Sequence, residues 1–222
     1  MYCVFIDFSK AFDRVKHSLL FYRLISYGLH GRVLTTLRSM YNDIESCVLC
    51  NGGLTEYFDC TIGTRQGCML SPLLFSLFVN ELASYMDKHD NGGICVTNDF
   101  TNMGILMYAD DVADVSDMPI LLQRKLNQLE QFCDHWGMAV NLEKTKIVVF
   151  RNGGVLRSYE NWSYKGTPVE VVKHYNYLGL LFSSKLSWTP TRENLAAKGK
   201  RALYQIQVVI KKLGGLPISE AF

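Results

Sequence analysis

Three acidic residues stand out for their setting. Asp7 follows the apolar run Tyr2–Ile6, and the pair Asp110–Asp111 is flanked by the apolar segments Ile105–Tyr108 and Val112–Val115. Carboxylates beside a hydrophobic core are costly, because desolvation opposes ionisation and like charges repel. A divalent cation removes both objections. Mg²⁺ prefers oxygen ligands and is held by one or two carboxylates together with substrate phosphates. Two such ions activate an attacking hydroxyl and stabilise departing pyrophosphate, so the chemistry these acids would serve is phosphoryl transfer. Taken singly, each acid also has a plainer reading. Asp110–Asp111 is then a polar hairpin turn, and Asp7 a strand-ending acid.

The elements that must position these acids are legible in outline. Tyr2–Ile6 reads as a buried central strand. It begins one residue after Met1, which predicts a fragment of a longer protein. Leu20, Leu24 and Tyr27 recur at helical spacing between His17 and Tyr27, with Gly28 as a stop. A second helix is expected from Gly31 to Tyr41, with Val33, Leu37 and Met40 on one face. Ile44–Leu49 and Tyr57–Ile62 predict a hairpin around Asn51-Gly52-Gly53. Ser71-Pro72 opens a long helix to about Met86, with serine as N-cap and proline in the first turn. Asp90–Asn102 is a polar loop, and the segments around Asp110–Asp111 form a tight hairpin. Pro119 begins a helix carrying Leu122, Leu126, Leu129, Cys133 and Trp136, ended by Gly137. Ile147–Phe150, Val169–Val172 and Tyr177–Phe182 are further strands, and a last helix spans Arg192–Lys212. Without regular βαβ alternation, the fold class is α+β, an antiparallel sheet backed by helices.

Composition sets the outer bounds. The 222 residues, 48% apolar and 20% charged, are enough to bury a core without disulfides or structural metals. The net charge of +2 does not announce a nucleic-acid binder. Its distribution says more: from Leu186 to Leu213, Arg192, Lys198, Lys200, Arg201, Lys211 and Lys212 face the single acid Glu193. Such a helix rests against phosphate backbone or is an ordinary solvated face. Seven cysteines in mostly apolar settings, with no signal peptide, predict reduced thiols and an intracellular location. Cys47 and Cys50 have zinc-ligand spacing but lack a second ligand pair. No apolar run is long enough to predict a membrane span.

Phe5-Ile6-Asp7-Phe8-Ser9-Lys10-Ala11-Phe12-Asp13 resembles the first palm motif of reverse transcriptases. Arg65-Gln66 followed by Gly67-Cys68-Met69-Leu70-Ser71-Pro72 resembles the second, and Tyr108-Ala109-Asp110-Asp111 the third. Trp136-Gly137-Met138 with Asn141 and Lys144-Thr145-Lys146 resembles the fourth, and Tyr177-Leu178-Gly179 the fifth, the primer grip. The five motifs occur in order over about Val4 to Ser183. The Ala-Phe-Asp ending of the first and the Asn-x-x-Lys-Thr-Lys form of the fourth are most similar to non-LTR, LINE-type retrotransposons; group II intron maturases are a nearby alternative.

The resemblance implies a polymerase palm over 1–183, motifs A to E, and a basic helical segment over 184–222 as the start of a thumb, with the fingers missing. It implies that Asp7, Asp110 and Asp111 bind two Mg²⁺ ions, replaceable by Mn²⁺, with the Phe8 backbone near the triphosphate. Phe12 would exclude a ribose 2′-hydroxyl, with core packing as its plainer role. Arg65, Gln66 and Gly67 would border the nucleotide, and Lys144 would be the general acid toward pyrophosphate, with Lys146 as its rival. Tyr177, Leu178 and Gly179 would grip the primer. The implied partners are an RNA template, a DNA primer and deoxynucleoside triphosphates, with the nucleus as a family-typical location and no membrane. Beside the RNA-directed DNA polymerase stand two other readings: an inactive, truncated nucleic-acid-binding module, and a palm-type nucleotide cyclase, against which Gln66-Gly67 and Tyr177-Leu178-Gly179 count.

Overall fold

The computed structural model describes residues 1–65, 67–87, 93–95 and 102–212. β1 (Tyr2–Ile6) leads through a 3₁₀ turn at Phe12–Arg14 into α1 (His17–Ser26) and α2 (Gly31–Tyr41). Four short strands follow: β2 (Glu45–Ser46), β3 (Leu49–Cys50), β4 (Gly53–Leu54) and β5 (Phe58–Asp59). Helices α3 (Ser71–Val79) and α4 (Glu81–Asp87) precede β6 (Ile94–Cys95), β7 (Asn102–Met103), β8 (Ile105–Tyr108) and β9 (Asp111–Ser116). After α5 (Pro119–Trp136) come β10 (Lys146–Val149), β11 (Ser163–Tyr164), β12 (Thr167–Pro168), β13 (His174–Tyr177) and β14 (Leu180–Ser183). The last described element is α6 (Thr189–Lys212).

The organising sheet is antiparallel, in the order β10-β1-β9-β8. β1 runs between β10, from Tyr2↔Val149 to Phe5↔Lys146, and β9, from Tyr2↔Ser116 to Ile6↔Val112. Successive strand side chains point to opposite faces. Val4 and Ile6 enter the helix-side core with Leu20, Phe75, Phe78 and Leu126. Cys3 and Phe5 enter a second cluster with Ala113, Val115, Val148 and Tyr177. Burial on both faces is why Tyr2–Ile6 carries no polar alternation. The expected α+β class, an antiparallel sheet backed by helices, is the fold observed.

Four expected elements differ in detail. The helix from Ser71 is interrupted at Asn80, whose backbone stays helical at φ −55° and ψ −32°. Just beyond the break, Glu81 pairs with Arg23, which is buried on α1 with its guanidinium 3.7 Å from the Trp136 ring centroid. Ser71 is the first helical residue rather than the cap. Its hydroxyl donates to the Arg65 carbonyl at 2.6 Å, which takes it away from the helix amides. Tyr177–Phe182 is a hairpin turn and its flanks, not one strand, because Leu178 and Gly179 both take positive φ. Val169–Val172 makes only an isolated bridge, Val171 to Ile147, whereas β11 and β12 form a small hairpin just before it. The Asn51 hairpin consists of two nested short pairs, β2 with β5 and β3 with β4. Most of the Asp90–Asn102 loop lies outside the described residues. All seven cysteines are free thiols. No helix among the described residues is long and apolar enough to cross a membrane.

Glu160 ties the start of β1 to the segment after β10. It accepts from the Tyr2 hydroxyl at 3.0 Å, from Arg151 at 3.0 Å and from the Arg157 backbone N–H at 2.8 Å. Burial opposes its ionisation, but these three donors outweigh burial and hold the carboxyl below its ordinary value of 4.5. A depressed folded pKa adds stability above the unfolded pKa that is lost as pH falls through the folded one. Glu160→Gln is therefore expected to lower stability at neutral pH by about 1–3 kcal/mol, the scale of charged hydrogen bonds. That deficit should shrink in acid, as pH falls below the ordinary value and through the folded one, until both chains carry a neutral group. Thermal melts at neutral and acid pH check the sign.

Candidate active site

The register of β1 against β9 assembles the acids. Ile6 pairs with Val112, so Asp7, next in β1's direction, stands across from Asp111. By the same alternation Asp7 falls on the face of Phe5 and Asp111 on that of Ala113. Asp110 sits with Ala109 in the tight turn closed by the Tyr108↔Asp111 pair. Their proximity is electrostatic as well as topological. Partial desolvation first, then the charges of Asp110 and Asp7, push the Asp111 carboxyl above its ordinary value. Oxygen donors crowded against like charge are the chemistry a hard divalent cation answers. Among the described residues, no three His, Cys, Asp or Glu side chains are gathered closely enough to hold an ion. The fit lies in donor type and placement, not in a closed cage.

Ala109 has φ +54°, a region that favours glycine. Ala109→Gly is expected to raise stability by up to about 1 kcal/mol, strain relief offset in part by backbone entropy. The same change loosens the turn under Asp110, so turnover should not rise with the melting temperature. Paired melting and extension assays test the divergence.

The chain after Asp7 is held by the segment before β10. The Asp7 N–H donates to Thr145 Oγ1 at 3.1 Å, the Asn141 N–H to the Asp7 carbonyl at 2.8 Å, and the Ser9 N–H to the Ala139 carbonyl at 2.7 Å. Phe8, bridged to Val140, is buried in the core. Asn141 Oδ1 accepts from the Glu143 N–H at 3.1 Å, an Asx turn that carries Lys144 toward Asp7. Lys144 Nζ lies 3.7 Å from Asp7 Oδ1, with its side chain 68% exposed. Lys146 is engaged elsewhere, 2.6 Å from Glu170. Geometry thus separates the two lysines that spacing left equal.

Beneath the acids lies the β13–β14 hairpin. Tyr175 stacks on Phe5 at 4.4 Å, and the Tyr177 hydroxyl donates to the Asp111 carbonyl at 3.4 Å. Burial, then the nearby carboxylates, raises both phenols: Asp7 and Asp111 act on Tyr175, Asp111 on Tyr177. The Leu178–Gly179 turn is tied to α6, where Lys198 Nζ donates to the Gly179 carbonyl at 3.1 Å. Thr191, buried in the first turn of α6, donates to the Leu181 carbonyl. The rest of α6 is largely exposed.

A cavity of about 350 Å³ is lined by Phe12, Thr64, Arg65, Gly67 and Cys68. Phe12 is only partly buried, its ring 4.5 Å from that of Phe75, so it serves both the core and the cavity wall. Gly67 takes φ +77°, and a Cβ there would meet nothing within 4 Å, so the glycine answers to backbone conformation rather than packing. Gln66 lies outside the described residues.

A buried ion pair near the site escaped the sequence reading. Asp114, on β9, is fully buried beside Lys125 of α5, with Nζ to Oδ1 at 2.5 Å. Lys125 also donates to the Val115 carbonyl at 2.7 Å. An acid inside an apolar strand and a lysine on the apolar face of the following helix were the available signal.

An antiparallel sheet that raises acids at one end and packs helices behind them has the architecture of a polymerase palm. The chain belongs to the reverse transcriptase (RNA-dependent DNA polymerase) family, whose profile matches residues 1–182. It is 26% identical over 198 residues to a Retrovirus-related Pol polyprotein from type-1 retrotransposable element R2 of Popillia japonica, covering 86% of this chain and 32% of that protein. It is also 26% identical over 191 residues to the RNA-directed DNA polymerase from mobile element jockey of Drosophila melanogaster, covering 83% and 20%. The chain thus spans a third or less of these relatives, which are of the non-LTR type. Among solved structures, apo telomerase from Candida Tropicalis truncated from its C-terminal domain has the same fold over 84% of this chain and 34% of that one, with TM-score 0.58 and 17% identity.

Proposed function

We propose that this chain is the palm of an RNA-directed DNA polymerase and extends a DNA primer on an RNA template using deoxynucleoside triphosphates. The observation that carries this reading is the β1–β9 register, which sets Asp7 across from Asp111 with Lys144 3.7 Å from Asp7. Asp7, Asp110 and Asp111 would hold two Mg²⁺ ions, or Mn²⁺ in their place. Bound there, the ions would favour ionisation of the primer 3′-hydroxyl, whose proton passes to solvent water, and would neutralise charge on the triphosphate. The 3′ oxygen bonds to the α-phosphorus as the bond to the bridging oxygen breaks, and pyrophosphate leaves with a proton from Lys144. The Phe8 backbone, Arg65, Gln66 and Gly67 border the nucleotide, while the Phe12 ring leaves no room for a 2′-hydroxyl. Tyr177, Leu178 and Gly179 support the primer end, and the basic α6 lies along the duplex backbone.

Primer extension on an RNA template with Mg²⁺ is the test. Wild type is expected to add deoxynucleotides, and Asp110→Ala to add none. Salt-sensitive binding without incorporation at any Mg²⁺ or Mn²⁺ concentration would overturn catalysis and leave a nucleic-acid-binding module.

A further inference from the structure

We infer that Gly63 and His17 form a clamp that sets the Phe12 ring against Arg65 and Gly67, and so act as positioning residues for sugar discrimination. The inference rests on the polymerase reading above. Residues 62–64 lie antiparallel to the turn that carries Phe12, with a bridge between Lys16 and Ile62. The Gly63 N–H donates to the Val15 carbonyl at 2.8 Å, and the Thr64 N–H to the Phe12 carbonyl at 2.8 Å. His17 closes the clamp from α1. Its Nε2 lies 2.8 Å from the Gly63 carbonyl, and because a carbonyl only accepts, Nε2 carries the proton.

The crossing is close enough to demand glycine. Gly63 takes φ +91°, and a Cβ there would lie 3.1 Å from the Asp13 carbonyl oxygen and 3.2 Å from the Asp13 Cα. Both are backbone atoms, so neither yields by a rotamer change. On the far side Arg65 is fixed by Ser71, whose hydroxyl donates to the Arg65 carbonyl at 2.6 Å. Phe12 and Arg65, on opposite sides of the clamp, line the same cavity. The width of that cavity at the sugar is therefore set by the 12–17 against 62–65 contact. A steric gate works over fractions of an ångström, so a slack clamp costs selectivity before it costs chemistry.

The test compares His17→Ala, His17→Gln and Gly63→Ala by kcat/KM for deoxy- against ribonucleotides, and by amide exchange at Gly63 and Thr64. Glutamine is the conservative variant, since its side-chain amide can donate from the place of Nε2. His17→Ala and Gly63→Ala are expected to lower the deoxy-over-ribo ratio by roughly tenfold, and His17→Gln to restore most of it. Amide exchange should quicken in His17→Ala and not in His17→Gln, with exchange in β1 unchanged. A ratio equal to wild type in an active His17→Ala overturns the inference. Should wild type incorporate neither sugar, the polymerase reading fails by itself; the exchange measurement then decides the clamp, and unaltered Gly63 and Thr64 amides in His17→Ala overturn it. If Gly63→Ala does not fold, the two His17 variants carry the test.

Discussion

Replacing Asp111 with asparagine is expected to abolish primer extension while raising the melting temperature at neutral pH. Its carboxyl is pushed above the ordinary aspartate value, by desolvation first and by the charges of Asp110 and Asp7 next. A carboxyl whose folded pKa is raised is protonated more readily in the native state. Its contribution to stability is therefore present below the unfolded pKa and lost as pH rises through the folded one. At neutral pH the ionised group opposes folding, and a neutral amide of the same shape removes that opposition. The gain should fade on acidification through the folded pKa toward the ordinary aspartate value, as wild type itself takes up a proton at this site. Activity moves the other way. Losing a group that merely orients a metal ligand costs about 10–100-fold, so losing a ligand should cost at least about a hundredfold. A variant that melts lower than wild type at neutral pH, or extends primers at an undiminished rate, would contradict this account.

The second large effect concerns the buried pair behind the hairpin. Lys125→Met is expected to destabilise the fold by about 3–5 kcal/mol, because it leaves the Asp114 carboxylate buried without its cation. Asp114 pairs across the sheet with Val4 and with Ile105, so the disturbance falls in the strand that carries Asp111. Replacing both, Lys125→Met with Asp114→Leu, should recover most of the loss, since apolar groups of similar volume often match or exceed a buried ion pair. Denaturant midpoints of the single and double variants give the coupling directly. Equal destabilisation in both would mean that shape, not charge, governs this contact.

What the sequence disclosed follows from how local each signal is. Tyr2–Ile6 was readable because a strand buried on both faces is apolar at every position, and the α5 helix because Pro119 and Gly137 bound a clean helical period. Motif order pointed to the three acids, and the sheet register brings two of them face to face. The turn at Leu178–Gly179 was hidden because a leucine at φ +49° looks like strand interior until the backbone is seen. The interruption at Asn80 has no proline or glycine to announce it. Ser71 was misread as a cap because its true partner, the Arg65 carbonyl, lies in a loop that no periodicity describes. Lys144 and Lys146 were indistinguishable by spacing, since only tertiary structure supplies Asp7 for one and Glu170 for the other. The Asp114–Lys125 pair needs strand and helix in contact before either residue looks unusual.

The attachment of α6 has a mechanical consequence. At 24 residues the helix is about 36 Å long, yet its ties to the hairpin are at Thr191 and Lys198, in its N-terminal half. Among the described residues it is thus a cantilever: a tilt of about 5° at the root sweeps its far end through roughly 3 Å at that length. The root strand belongs to the same hairpin as Tyr177, so a load on the tip reaches the Asp111 carbonyl through one rigid ribbon with no slack loop between.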